Sequence, residues 1–197
     1  MNGATVAGEL PAFDSLDAIN KWILTRLDET ILEVDELFEK FEFAKACELI
    51  YHFAWDDLCD WYLELSKASF QAGSNDSKRV LGHVLDQLMR LMHPVMPFLT
   101  EELWCTFTNG ETLVTSTWPK ANPSERDENS KKIVAGLQEL VTEIRRFRND
   151  QGIKTSAKVA AAFNNLGELA PFENAIRTVC RLEAMTGASS AQIEVGS

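Results

Sequence analysis

The sequence predicts a mainly α-helical fold, an antiparallel helical bundle followed by a small α/β unit. Long stretches carry apolar residues at three- and four-residue spacing, which is typical of amphipathic helices. Two prolines, Pro94 and Pro97, separate two of these stretches, and this pattern indicates a corner between two helices. Near the C-terminus two short apolar segments flank another helical stretch, which indicates a strand, a helix and a strand.

The first half of the bundle is predicted to consist of two long helices. Apolar periodicity predicts the first helix from Ser15 to about Lys40, and Asp14 or Ser15 is a plausible N-cap. The second helix is predicted from about Glu42 to Phe70. Small polar residues with a glycine at 72–77 end it, because such residues favour turns.

Two further helices meet at the double-proline corner, His93–Trp104. The third helix is predicted from about Lys78 to Met92, and the fourth continues from the corner to about Phe107. Pro94 removes a backbone donor and so ends the third helix. Pro97 has its φ angle preset for the first turn of the fourth.

The segment after the fourth helix is predicted to be irregular. Thr108–Gly110 indicates a turn, and weak alternation at Thr112–Thr117 predicts an extended piece. Pro119–Ser124 has the composition of an interdomain linker. A fifth helix is predicted from about Glu125 to Asn149, and Gly152 lies just beyond it as a stop signal.

The last part of the chain is predicted to form the small α/β unit. Its elements are a strand at Lys158–Phe163, a helix at Pro171–Ala184 and a second strand at Ala191–Val195. Together with the linker, this pattern predicts two domains. Residues 1–119 would form the helical bundle, and residues 120–197 would form the C-terminal helix and the α/β subdomain.

The charge of the chain is strongly acidic but uneven. The formal net charge is −11 over 197 residues, which argues against binding nucleic acid through phosphate contacts alone. Residues 130–197 carry nine Lys and Arg against seven Asp and Glu, so the remainder holds a net charge of −13. An acidic bundle can still recognise unpaired bases by stacking and hydrogen bonding if a local basic patch contacts the backbone.

Metal, disulfide and membrane signals are weak in this sequence. The four cysteines show no CxxC pair, and the three histidines are not at metal-ligand spacing from them, so no metal site is predicted. Cys47 and Cys59 fall too far apart along one predicted helix to form a disulfide. No run of about 18 apolar residues and no signal peptide is visible, so we expect a cytoplasmic protein without membrane contact.

The motif at His93–Trp104 resembles one in the anticodon-binding helical domain of the class I aminoacyl-tRNA synthetases. Four more blocks follow the order of that family, namely Asn20–Leu27, Phe43–Ala46, Phe53–Glu64 and Thr117–Pro119. The blocks that end at Glu64 and Pro119 are most similar to the valyl type, while the isoleucyl and leucyl types share the architecture. The resemblance implies a helical bundle that binds the anticodon stem-loop of a valine-specific tRNA.

The same resemblance implies that the chemistry lies elsewhere. The parent enzyme would attach valine to tRNA with ATP and Mg, using a catalytic domain that acts as a partner of this chain. The chain has no His-x-Gly-His signature, and Lys154–Lys158 only superficially imitates the second catalytic signature, with no α/β sheet before it. We therefore predict no catalytic residue and no cofactor in this chain.

Two groups of residues are candidates for RNA contact. The resemblance places the first group in parts of the domain that approach the anticodon stem-loop: Trp61, Tyr62, Glu64, Lys67, Phe98, Thr100, Glu101 and Glu102. Its aromatic side chains would stack on bases and its carboxylates would accept from exocyclic amines. The basic cluster forms the second group, as possible phosphate contacts: Arg145, Arg146, Arg148, Lys154 and Lys158.

Each candidate also has an ordinary structural interpretation. The aromatic residues lie in apolar-periodic helices and could be core. Thr100, Glu101 and Glu102 could simply cap and charge a helix N-terminus, and the basic cluster could be a surface of ion pairs. In the valyl family a further helix precedes the stretch equivalent to Asn2–Ala4, so we expect the bundle to lack it and to bind RNA weakly. The alternative functions are a structural bundle whose acidic face contacts proteins, or the equivalent domain of the isoleucyl or leucyl enzyme.

Overall fold

The computed structural model describes residues 10–108 and 112–184, and helices dominate this part of the chain. The α-helices are α1 Ala18–Glu39, α2 Phe43–His52, α3 Leu63–Leu65, α4 Lys67–Gln71, α5 Asn75–Met92, α6 Pro97–Thr108, α7 Glu128–Asp150 and α8 Glu173–Cys180. Three short 3-10 turns lie at Phe13–Ser15, Pro123–Glu125 and Gly167–Phe172. Strands β1 Val159–Ala161 and β2 Leu182–Ala184 pair in parallel. The predicted class, a mainly α bundle with a small α/β unit, is confirmed.

Side-chain caps begin the three longest helices, α1, α5 and α7. The Asp17 carboxylate accepts from the Asn20 backbone N–H at 2.8 Å and begins α1, slightly later than the predicted caps Asp14 and Ser15. Those two residues belong instead to the 3-10 turn that precedes the helix. Ser74 and Asp127 cap α5 and α7 in the same way.

A π-helical segment at Phe53–Tyr62 connects α2 to α3, where the sequence predicted one regular α-helix. Its buried residues are Phe53, Leu58 and Tyr62, so the first two lie five apart. That separation matches the i to i+5 hydrogen bonding of a π-helix, which turns a wider-spaced set of side chains toward the core. The π-helical geometry turns Tyr62 toward the core and leaves Trp61 at its edge.

The structure corrects two predictions in the second half of the chain. Residues 112–117 form a turn and not an extended piece, with the Ser116 N–H donating to the Leu113 carbonyl at 2.9 Å. The helix predicted to reach Ala184 ends at Cys180, because Arg181 adopts a left-handed φ of 53° and β2 follows. The strand predicted at Ala191–Val195 lies outside the described residues.

One continuous apolar core joins residues from both predicted domains. Helix α1 lies at its centre and contacts α2, α5 and α7, and Ile23, Val84, Leu137 and Ile176 belong to the same buried cluster. The predicted linker is attached to α1, because the Asp28 carboxylate accepts from the Asn122 N–H and from Arg126. The division at residue 119 stays a prediction, and the common core indicates that the two sides stabilise each other.

Some negative observations apply to the described residues. No disulfide joins Cys47 to Cys59. Within residues 10–108 and 112–184, no group of three His, Cys, Asp or Glu side chains is arranged to hold a metal ion. No helix in these ranges has the length and apolar character needed to cross a membrane.

Candidate nucleic-acid interface

The predicted RNA-binding residues lie at two separate places, at opposite ends of α5. The Tyr62 hydroxyl lies 3.3 Å from the Ser77 carbonyl in the first turn of α5. The Thr100 hydroxyl lies 2.8 Å from Nδ1 of His93, directly after the last turn. With a rise of about 1.5 Å per residue, the two places are roughly 24 Å apart. They therefore cannot contact the same nucleotide.

At the first place, Trp61 and Arg145 are brought together from distant parts of the sequence. The Arg145 guanidinium lies over the Trp61 ring, 5.8 Å from its centroid. Trp61 is the next-to-last residue of the π-helical segment and is half-buried, while Arg145 is exposed on α7. A cation within about 6 Å of an indole face is attracted by the ring's quadrupole. The pair therefore combines an aromatic ring and a positive charge at one place.

The charges around this pair differ in how strongly they are already paired. Glu64 and Lys67 form an ion pair with each other. Arg146 lies 3.4 Å from Glu143, and Lys158 lies 3.1 Å from Glu183. Lys154 is exposed, and no other described residue accepts from its ammonium group. Arg145 and Lys154 are thus the two exposed cations of the cluster that no carboxylate within the described ranges neutralises.

Three of the predicted contact residues are buried in the structure. Tyr62, Thr100 and Arg148 are only 0%, 1% and 7% exposed. The Tyr62 hydroxyl donates to Oδ1 of Asn20 at 2.8 Å, and burial raises the pKa of this phenol well above its usual value. The Thr100 hydroxyl donates to the Met96 carbonyl at 2.9 Å. Burial to this extent favours the ordinary structural interpretation of these three residues.

The double-proline corner, at the second place, is apolar and acidic. Phe98 is 91% exposed, and Glu102 is exposed on the same first turns of α6. Glu101 accepts from the Thr112 hydroxyl and from the Leu113 N–H, and the hydrogen bond from Thr112 holds the pKa of its carboxyl below the usual value. Negative charge at this corner disfavours phosphate contact.

The sequence analysis missed one exposed aromatic pair, Tyr51 and Trp55. The two rings are almost parallel, with 6° between their planes and 6.2 Å between their centroids, and they are 57% and 55% exposed. The available signal was their spacing of four residues, which places two side chains on one face of a helix. Asp56 pairs with His52 beside them. The pair lies among carboxylates and adds no positive charge.

Cys180 gives a first test of the packing behind the Trp61–Arg145 pair. Its thiol is 3% exposed in α8, and burial raises its pKa to about 11, although Arg145 and Arg148 lower it in part. Only the thiolate is nucleophilic, so we expect iodoacetamide at pH 8 to modify exposed Cys59 and to leave Cys180 intact until the protein unfolds. Mass spectrometry of timed samples measures this, and equal rates at the two thiols would contradict the described packing.

Comparison with known families agrees with this architecture. Residues 20–163 match the family model described as the anticodon-binding domain of tRNA ligase. The match covers most of the chain, and the chain belongs to this family.

Individual relatives carry a more specific name than the family model. The chain is 47% identical over 187 residues to a protein of Streptomyces avermitilis, an alignment that covers 93% of this chain. The chain is 48% identical to a protein of Nocardia farcinica, in an alignment that covers 92% of this chain. A protein of Mycolicibacterium paratuberculosis is 42% identical over 99% of the chain. Each of the three is named valine–tRNA ligase, and the chain spans about a fifth of their length, 21% to 22%.

Proposed function

We propose that this chain is the tRNA anticodon-binding region of a valine–tRNA ligase and has no catalytic role of its own. Its family and the names of its relatives support this function. The parent enzyme would attach valine to tRNA in the cytoplasm, with ATP and Mg bound to a separate catalytic domain. This chain would supply the contacts that select the anticodon stem-loop of the valine tRNA.

The observation that carries the proposal is the contact between Trp61 and Arg145. Proteins that bind single-stranded RNA stack unpaired bases on aromatic rings and contact the adjacent phosphates with cations. The Trp61 ring is half-buried, and the exposed guanidinium over it can reach a phosphate. The nucleotides of an anticodon loop are unpaired and offer both features.

The position of this pair also accounts for RNA binding by an acidic chain. The net charge of −11 repels a polyanion at long range, so binding should be strongest where positive charge is locally concentrated. Arg145, Arg146 and Lys154 lie together at the C-terminal end of α7 and in the loop after it. The corner at Phe98 carries carboxylates instead. We therefore assign the tRNA-facing surface to the Trp61–Arg145 side.

A second candidate function is a bundle that contacts another protein. The observation in its favour is the exposed apolar surface of the double-proline corner, formed by Val95, Met96, Phe98, Leu99 and Leu103. Contiguous apolar side chains on a surface commonly mark an interaction site. A chain with this function would show no preference among tRNAs.

The proposal predicts preferential binding of valine tRNA through the basic end of α7. Labelled valine tRNA is titrated with the chain at low salt, beside isoleucine and leucine tRNAs as controls for the related synthetase types. Replacing Arg145 and Arg146 by alanine should weaken binding and reduce the slope of log affinity against log salt by about one to two units, roughly one per lost phosphate contact.

A matched control lies on the same helix. Lys132 is exposed near the start of α7, roughly 20 Å from Arg145 by helical rise, so Lys132→Ala should leave the slope unchanged. Equal affinity for all three tRNAs would contradict valine recognition. An equal change of slope in Lys132→Ala would show that the charge of the chain, and not this surface, determines binding.

A further inference from the structure

Arg148 is a buried arginine with no carboxylate partner among the described residues. Its side chain is 7% exposed, and its Nη2 donates to the Lys154 carbonyl at 3.1 Å and to the Ala157 carbonyl at 2.7 Å. Nη1 is buried without a partner in the described part of the chain. Buried charges are normally paired because the loss of solvation is costly. The two contacts to one short loop therefore need a reason.

The backbone of Arg148 holds the same loop. Its carbonyl accepts from the Ile153 N–H at 2.9 Å, and the Asn149 carbonyl accepts from the Gly152 N–H at 2.9 Å. This is the paired hydrogen bonding of a Schellman motif, with Gly152 in the left-handed conformation at a φ of 64°. The C-terminal end of α7 also supplies partial negative charge near the guanidinium. Arg148 thus holds the loop with its main chain and its side chain.

The segment held in this way is the turn at Lys154–Ala157. The Ala157 N–H donates to the Lys154 carbonyl at 3.0 Å, so that carbonyl receives both this hydrogen bond and the one from Arg148. A single Nη group has two N–H donors, one for each of the two carbonyls of the turn. One nitrogen of the guanidinium therefore satisfies both carbonyls and joins the two ends of the turn.

The turn presents Lys154 at the end of α7 that also carries Arg145. Lys154 is exposed and has no side-chain partner within the described ranges, whereas Lys158 is paired with Glu183. Arg145 precedes Arg148 by about one helical turn and therefore lies on a neighbouring part of the helix surface. Arg148 lies on the same helix as Arg145 and holds the turn that carries Lys154.

We propose that Arg148 is a positioning residue that fixes the Lys154–Ala157 turn so that the Lys154 ammonium contacts a phosphate of the RNA held by Trp61 and Arg145. This inference rests on the proposed function for its ligand, while the hold on the turn does not. Arg148 itself makes no RNA contact. The turn is then ordered before RNA binds, so contact by Lys154 costs less conformational entropy.

The experiment compares four variants of the whole chain: Arg148→Met, Arg148→Lys, Lys154→Ala and the double variant Arg148→Met/Lys154→Ala. Amide hydrogen exchange without RNA measures the turn. We expect exchange at Ala157 to accelerate at least about tenfold in Arg148→Met and less in Arg148→Lys, while amides of α1 stay protected. Lys154→Ala should leave this exchange unchanged.

Titration with valine tRNA at several salt concentrations measures the phosphate contact. Arg148→Met and Lys154→Ala should each reduce the salt slope by about one unit, and the double variant should also lose about one and not two. A purely structural arginine would lower stability without this loss of slope. An additive double variant, or an unchanged slope in Arg148→Met, would overturn the proposal.

The hold of Arg148 on the turn and the contact of Lys154 with RNA are tested separately. Unchanged exchange at Ala157 in Arg148→Met overturns the hold on the turn, whatever the RNA data show. If the unmodified chain shows no preference for valine tRNA, the proposed function fails and the Lys154 contact fails with it, while rapid exchange at Ala157 would still support the hold. If Arg148→Met does not fold, Arg148→Lys replaces it, and a wild-type salt slope together with faster exchange overturns the proposal.

Discussion

Replacing Ile176 by alanine is expected to destabilise the whole chain by about 2–5 kcal/mol, the usual cost of truncating a fully buried aliphatic side chain. Ile176 is 0% exposed and belongs to the same core cluster as the buried residues of α1 and α7. Helix α8 contacts α3, α4 and α7, so the cavity would open between the α/β unit and the bundle. Urea unfolding followed by tryptophan fluorescence and by far-ultraviolet circular dichroism measures the effect.

The same measurement tests the predicted division of the chain at residue 119. A common core predicts one transition seen by both probes, with a lower urea midpoint in Ile176→Ala. Val179→Ala on the same helix is the control, because Val179 is only partly buried and should lose much less stability. Two transitions, of which only the second shifts in Ile176→Ala, would instead show that residues 1–119 fold independently.

The helices that could be predicted from sequence are the long amphipathic ones. The observed α5 at Asn75–Met92 and α7 at Glu128–Asp150 begin within a few residues of their predicted starts, because many apolar side chains repeat at helical spacing. The π-helical segment at Phe53–Tyr62 could not be predicted in this way. A search for the 3.6-residue period assumes α-helical hydrogen bonds and misses a local i to i+5 pattern.

The prediction of short elements from sequence failed for a different reason. Strand β2 at Leu182–Ala184 begins two residues after the end of α8 and is only three residues long, so it carries little periodicity of its own. What separates the two elements is the left-handed conformation of Arg181, for which a non-glycine side chain gives little signal. The pairing of β2 with β1 is a tertiary effect that a local pattern does not contain.

The candidate site could be predicted by residue type but not by arrangement. Trp61 and Arg145 were both candidates, yet their contact exists only because the π-helical segment and α7 pack around α1. Tyr62 was equally suitable by type and is buried. Adjacent residues on a helix point in different directions, so the precise register decides which of the two faces the solvent. Arg148 shows the same limit within the basic cluster.

Replacing Trp61 by alanine is expected to weaken valine tRNA binding roughly 5- to 150-fold, which corresponds to the loss of one stacked base at about 1–3 kcal/mol. Trp61→Phe should retain most of the affinity, because phenylalanine keeps an aromatic face. The salt slope should stay unchanged in both variants, since no charge is removed. Fluorescence titration with labelled tRNA gives the affinities, and circular dichroism verifies the fold, because Trp61 also packs against the core.

Trp55→Ala is the matched control for this prediction. Trp55 lies in the same π-helical segment and is 55% exposed, but its neighbour is Tyr51 and not an arginine. The Trp55→Ala variant should therefore bind valine tRNA like the unmodified chain. The outcome that contradicts stacking at Trp61 is an equal loss of affinity in Trp55→Ala, or full affinity in a folded Trp61→Ala. Either result would move RNA contact away from the Trp61–Arg145 side, since an aromatic face beside a cation is the feature that assigns it there.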